Sequence, residues 1–80
     1  MTESSVPATM RAAFISQPGP PEAIEVGALP VPQPGPTDVL VRVRAVALDP
    51  VDALIRSGRY RTPIPFPFVI GRDLVGSVVQ

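Results

Sequence analysis

The sequence predicts a small, mostly antiparallel β domain with one short helix, and three observations carry that reading. Apolar residues alternate with polar or small ones over residues 23–29 and 39–46, the period of two that a half-buried strand requires. Twelve prolines in 80 residues punctuate the chain, and each fixes φ and removes an N–H, which excludes long helices and interior strands where it falls. A single segment, Asp49 to Gly58, carries start and stop signals for a helix.

In chain order, residues 1–9 are polar and without periodicity, and are expected to form a disordered leader; the domain is expected to occupy 10–80. Met10 to Ile15 reads as a strand that ends at Ser16-Gln17-Pro18-Gly19-Pro20-Pro21, a cluster that forces a turn. Ala23 to Leu29 reads as a second strand returning beside the first, so a hairpin is the natural pairing. Pro30 to Pro36 alternates proline with other residues and cannot donate a hydrogen-bond ladder. A stiff surface connector is preferred there over a ligand for an SH3-type domain, the other reading of such a composition.

Val39 to Val46 is the clearest strand, with Val39, Val41, Val43 and Ala45 expected to face the core. The helix follows at once. Asp49 suits the N-cap, Pro50 the first helical position, Asp52 the third, and Gly58 can end the helix. Asp52 is read as a first-turn acid satisfying main-chain N–H groups, and Arg56 and Arg59 as a solvated helix end where positive charge suits the dipole. Thr62 to Phe68 interleaves prolines with apolar residues and reads as a partly buried loop, and Leu74 to Gln80 as a last strand.

Composition narrows the chemistry. With neither cysteine nor histidine, the chain offers no thiolate or imidazole, so a zinc site is not expected. Seven arginines balance seven acids and are spread along the chain, which argues against a nucleic-acid or anionic-lipid surface. No apolar run approaches the roughly 18 residues that span a bilayer. The N-terminus lacks the order of a signal peptide, so the cytoplasm is the expected compartment. Twenty-five Leu, Ile, Val and Phe residues are enough apolar side chains for packing, so a folded chain is expected despite its proline content. No Gly-rich phosphate loop or Ser/His/Asp set is present, and residue patterns alone identify no catalytic centre.

Five motifs add what pattern cannot. Met10-Arg11-Ala12-Ala13, Val39-Leu40-Val41-Arg42-Val43, Asp49-Pro50-Val51-Asp52, Ile55-Arg56-Ser57-Gly58 and the run Phe66 to Gly76 occur in the order found at the start of medium-chain dehydrogenases/reductases. The chain most resembles their zinc-independent quinone oxidoreductase branch. That resemblance implies a GroES-like, partly open antiparallel β-barrel forming a catalytic domain, incomplete within these residues, with a Rossmann domain for NADP or NAD expected further along. The chain would then be a piece of a two-domain enzyme and inactive alone.

The resemblance also implies site residues. In zinc-dependent members the position of Asp49 is a cysteine ligand and that of Arg72 a histidine ligand, and a guanidinium cannot ligate zinc. In zinc-free quinone reductases the position of Asp49 is commonly Asn, near the nicotinamide and substrate, while Leu54 stands where some relatives place an aromatic. Asp49, Tyr60 and Arg72 are therefore the candidate catalytic residues, with Asp49 also at the cofactor. Tyr60 either lines the cleft or packs its ring with its hydroxyl exposed. Asp49 and Arg72 are expected to face each other as a charge-assisted pair at about 2.7–3.2 Å, in place of a metal.

The function implied is the N-terminal catalytic-domain portion of an NAD(P)H-dependent oxidoreductase acting on quinones, enones or related carbonyl compounds. An alcohol dehydrogenase or enoyl reductase of the same superfamily is one alternative, and a non-catalytic GroES-like binding or assembly module another. The implied partners are a small-molecule carbonyl substrate and the remainder of the enzyme or another chain, with a homo-oligomer left open; nucleic acid and membrane are not among them.

Overall fold

A computed structural model describes residues 6–80. Five strands and one helix follow in the order β1 (Thr9–Ile15), β2 (Glu25–Pro30), β3 (Val41–Ala47), α1 (Pro50–Ser57), β4 (Phe68–Val69) and β5 (Asp73–Val78). The chain is mostly β, as its alternation and prolines require. The leader expected at 1–9 falls partly on residues 1–5, which lie outside the described residues. Its last residue, Thr9, belongs to β1, and the Val31 N–H donates to the Ala8 carbonyl at 3.0 Å, continuing the ladder before the strand proper.

β1 and β2 form the expected antiparallel hairpin, with Met10 opposite Leu29 and Phe14 opposite Glu25. Its turn is built from the proline cluster, which opens a single 3-10 turn over Pro21–Ala23. The Ser16 hydroxyl closes the hairpin end by donating to Glu25 Oε2 at 2.9 Å. Phe68, the last residue of the expected loop, instead joins Val69 in the short strand β4, pairing Phe14 with Val69 and Ile15 with Phe68 and giving a three-stranded sheet ordered β2-β1-β4. The connector before β3 is irregular, pinned by an Asp38 turn in which the Gly35 N–H donates to Asp38 Oδ2 at 2.9 Å.

β3 and β5 pair with each other in a separate two-stranded ribbon, so the sheets do not close into a barrel among the described residues. Their register steps between Val43 and Ala45, leaving Arg44 as the extra residue of a bulge. Gly76, opposite Val43, sits so close to the partner backbone that a Cβ there would collide with the Arg42 carbonyl oxygen.

The expected core face of β3 is corrected by the structure. Of Val39, Val41, Val43 and Ala45 only Val41 is half-buried; Val39 and Val43 keep 62% and 48% of their surface in water, Ala45 is exposed, and the ribbon is exposed along nearly its whole length. Alternation marks which residues share a face, but burial needs a second layer over that face, and among the described residues no layer covers the ribbon. The enclosed apolar side chains are Ile15, at the end of β1, and Ile55, in α1.

α1 is tied to the turn after β1 by a reciprocal pair of bonds. The Gly19 N–H donates to the Arg56 carbonyl at 2.7 Å, and Arg56 Nη1 donates to the Gly19 carbonyl at 2.6 Å. Arg56 is therefore not simply a solvated helix end: its guanidinium is half-buried and docks the helix. The helix stops at Gly58, in the left-handed region at φ 83°, and the Arg59 N–H donates to the Leu54 carbonyl at 3.0 Å.

Candidate functional site at the start of the helix

The corner between β3 and α1 is organised by Asp52. One turn into the helix, its carboxylate points back, and Oδ2 accepts from the Asp49 N–H at 2.7 Å. This is the returning arm of a capping box. The Asp52 N–H in turn donates to the Asp49 main-chain carbonyl at 2.9 Å. The Asp49 carboxylate reaches towards the same N–H in the geometry of that box but makes no side-chain cap bond of its own.

The second carboxylate oxygen of Asp52 reaches another element. Oδ1 accepts from the Gly71 N–H at 3.3 Å, in the turn between β4 and β5. Gly71 can present its amide there because it adopts φ 101°, a conformation unfavourable for residues with a Cβ. An added Cβ would also lie 2.6 Å from Val46 Cγ1, so the turn packs directly on the end of β3. The pairing of Ala47 with Asp73 brings the two turns to one end of the ribbon. The backbones of Asp49 and Arg72 thus converge, as expected, from the corner after one strand and the start of another.

Their side chains do not complete the expected pair. Both residues are exposed, and none of the hydrogen bonds or ion pairs among the described residues joins the Asp49 carboxylate to the Arg72 guanidinium. The physical reason is the exposure itself. Pairing was expected because a lone buried charge is costly, and a charge that keeps its water has no such compulsion. Tyr60 is half-buried just past Gly58, at the opposite end of α1, and an eight-residue helix is about 12 Å long. The fold therefore unites two of the three candidates at one corner, with Tyr60 beyond the other end of the helix.

The corner does not suit a metal or a pyrophosphate. Among the described residues no group of three or more Asp, Glu, His or Cys side chains could hold a metal ion. The one turn from strand to α-helix has the geometry that elsewhere receives phosphate. Here the Asp49 amide is occupied by the Asp52 carboxylate and the Asp52 amide by the Asp49 carbonyl, Pro50 has no N–H, and the two carboxylates would repel an anion. Two surface concavities lie elsewhere, one against Met10 and Gly27 and one against Pro7 and Pro32, and neither reaches Asp49, Tyr60 or Arg72. No helix among the described residues is long and apolar enough to cross a membrane.

Residues 35–80 match the family model described as the alcohol dehydrogenase GroES-like domain. The chain belongs to that family. The match begins at the connector and takes in β3, α1, β4 and β5, so both ends of the Asp52 bridge lie inside it. The chain is 44% identical over 70 residues to a trans-enoyl reductase of Aspergillus flavipes, covering 88% of this chain and 20% of that protein. It is 37% identical over 70 residues to a quinone oxidoreductase of Lama guanicoe, covering 86% and 21%. It is 36% identical over 80 residues to the chloroplastic NADPH-dependent alkenal/one oxidoreductase of Arabidopsis thaliana, covering 98% and 21%. The chain spans about a fifth of the length of the curated relatives it matches. No solved structure matches it. These relatives bear out the resemblance of this GroES-like domain to the medium-chain dehydrogenases/reductases.

Sequence reasoning missed two links at this site. Asp52 was legible as a cap, but its bond to Gly71 was not; the available signal was Gly71 itself, an isolated glycine between Ile70 and Arg72 that could mark a turn with positive φ. The docking of Arg56 on Gly19 joins residues 37 apart and has no signal in the sequence.

Proposed function

We propose that this chain is the N-terminal part of the catalytic domain of an NAD(P)H-dependent oxidoreductase that reduces quinones, enones or related conjugated carbonyl compounds. The observation that carries the reading is the set of relatives: an enoyl reductase, a quinone oxidoreductase and an alkenal/one oxidoreductase all take, by name, an acceptor in which a carbonyl is conjugated to a carbon–carbon double bond. Within that class a second reading, an enoyl reductase, is favoured by the Aspergillus relative, whose identity exceeds that of the other two.

The nicotinamide supplies the hydride in such chemistry, and the residues described here do not cradle its pyrophosphate. What this chain contributes is the acceptor side. As negative charge gathers on the acceptor oxygen, catalysis requires fixed hydrogen-bond donors aimed at it. Arg72 offers guanidinium N–H groups at the Gly71 turn and Tyr60 a phenolic hydroxyl, while Asp49 accepts hydrogen bonds and is assigned to both the acceptor and the nicotinamide. Zinc independence, a small-molecule partner and a cytoplasmic location belong to the same reading.

The test is NADPH oxidation by the protein carrying this sequence at the full length of its relatives. A quinone, an alkenal and an enoyl thioester are offered with NADPH beside a saturated ketone, and a primary alcohol is offered with NADP+ in a parallel assay that follows NADPH formation. Turnover of conjugated acceptors, unaffected by a chelator, is expected. Chelator-sensitive turnover of the alcohol alone, or turnover of none, would overturn the reading.

A further inference from the structure

Asp52 is one of three buried side chains among the described residues, with 4% of its surface exposed, and the only charged one. A buried carboxylate is costly unless its lone pairs are satisfied. Both of the hydrogen bonds it accepts come from main-chain amides, and they come from different elements. A residue that merely caps a helix needs the Asp49 N–H, which it has at 2.7 Å. The Gly71 N–H on the other oxygen, at 3.3 Å, adds nothing to the helix. It fixes the helix to a turn 19 residues further on.

Those two amides belong to Asp49 itself and to the residue before Arg72. We infer that Asp52 is a positioning residue: its two oxygens set the separation between the corner that carries Asp49 and the turn that carries Arg72, and hold both backbones in register with the acceptor. The inference rests on the function proposed above for its catalytic consequence, and on the hydrogen bonds alone for the clamp. A carboxylate is the side chain for this task because both of its oxygens accept. An amide of the same shape has one oxygen and one NH2 group, so Asp52→Asn turns a donor onto one of the two N–H groups and opens one arm of the clamp.

The experiment uses the full-length enzyme and measures steady-state kinetics beside amide hydrogen exchange. Asp52→Asn should lower kcat about 10- to 100-fold, the scale expected when reacting groups are displaced by about an ångström, while KM for NADPH changes by less than about twofold. Arg56→Ala loosens the other end of the same helix and should lower stability while leaving kcat within about twofold. In the wild type the Asp49 and Gly71 amides should both be protected; in Asp52→Asn at least one should lose protection while the Arg59 amide, bonded to Leu54, keeps it. Equal kcat losses in the two variants would make Asp52 a stability residue only and overturn the inference. So would a Gly71 amide that exchanges freely in the wild type, a measurement that stands even if the variant does not fold. If the wild type turns over no acceptor, the functional reading fails. Exchange in Asp52→Ala, which removes both acceptors, then decides the clamp alone: loss of Gly71 protection upholds it, and unchanged Gly71 protection overturns it.

Discussion

The three-stranded sheet with its docked helix and the two-stranded ribbon are built from similar apolar alternation, yet only the first has an interior. Ile15 closes β1, Ile55 lies in the helix, and the Gly19–Arg56 bonds hold that helix to the turn after β1. The ribbon has more valines, five against three, and a ladder broken only at the Arg44 bulge and extended at its end by the Leu40 N–H to Gln80 and the Val79 N–H to Leu40 at 2.9 and 2.8 Å, yet it buries almost nothing. Hydrogen-bonded pairing and burial are thus separable. A ladder exchanges water for main-chain partners at little net gain, whereas an enclosed Ile contributes roughly 1.5–3 kcal/mol by leaving water.

That contrast can be broken most directly at Ile15. Ile15→Ala should cost about 2–5 kcal/mol, enough to abolish a cooperative urea transition in so small a domain. Val78→Ala in the ribbon should fall within about 0.5 kcal/mol of the wild type. Similar denaturation midpoints for the two variants would erase the distinction. The ribbon has its own weak point at Gly76, where a methyl group has no room beside the Arg42 carbonyl. Gly76→Ala should cost about 1–3 kcal/mol, and amide exchange should show the loss confined to β3 and β5. A uniform loss across both sheets would mean the two regions unfold as one.

A smaller difference separates two arginines. Arg56→Ala removes the guanidinium bond to Gly19 and should lower the stability read from the midpoint by about 1 kcal/mol, since the group is only half-buried. Arg59→Ala, at an exposed position, should change it by less than about 0.5 kcal/mol. No difference between them would make the docking of the helix incidental. The smallest expected effect is none at all. Neither region offers a cradle for a dinucleotide or a set of metal ligands, so titration of the 80-residue chain with NADPH, or equilibrium dialysis against buffered zinc, should show no saturable stoichiometric binding. A micromolar NADPH site would overturn the placement of the dinucleotide site on other residues, and a micromolar zinc site would overturn zinc independence.

What could be read from the sequence was what neighbouring residues decide. The β1–β2 hairpin is set by its proline cluster, and α1 by Asp49, Pro50, Asp52 and Gly58, each acting within a few positions. The pairing of β4 with the end of β1 was not legible, because two residues directly after Pro67 are too few to show periodicity and their partners are more than 50 positions away. The exposure of β3 was misread for a related reason: alternation specifies faces, and only the presence of another layer makes one of them a core. At the site, the convergence of residues 49 and 72 was foreseen from family positions, while the Asp52 bond to Gly71 depended on a backbone turn that no spacing rule encodes.

The isolated ribbon has one more consequence, for the behaviour of the chain in concentrated solution. Its two strands pair only with each other, so each has an outer edge of main-chain N–H and C=O groups without a sheet neighbour among the described residues. Valine-rich edges of that kind are templates on which further strands can stack. The charges along them act as gatekeepers: Arg42 and Arg44 interrupt β3, and Arg72 and Asp73 flank the start of β5. The Arg44 bulge twists the edge away from the flat geometry that stacking prefers. Colloidal stability of this chain therefore rests on a few charged side chains, and neutralising Arg42 and Arg44 together should convert a ribbon that pairs with itself into one that recruits other strands.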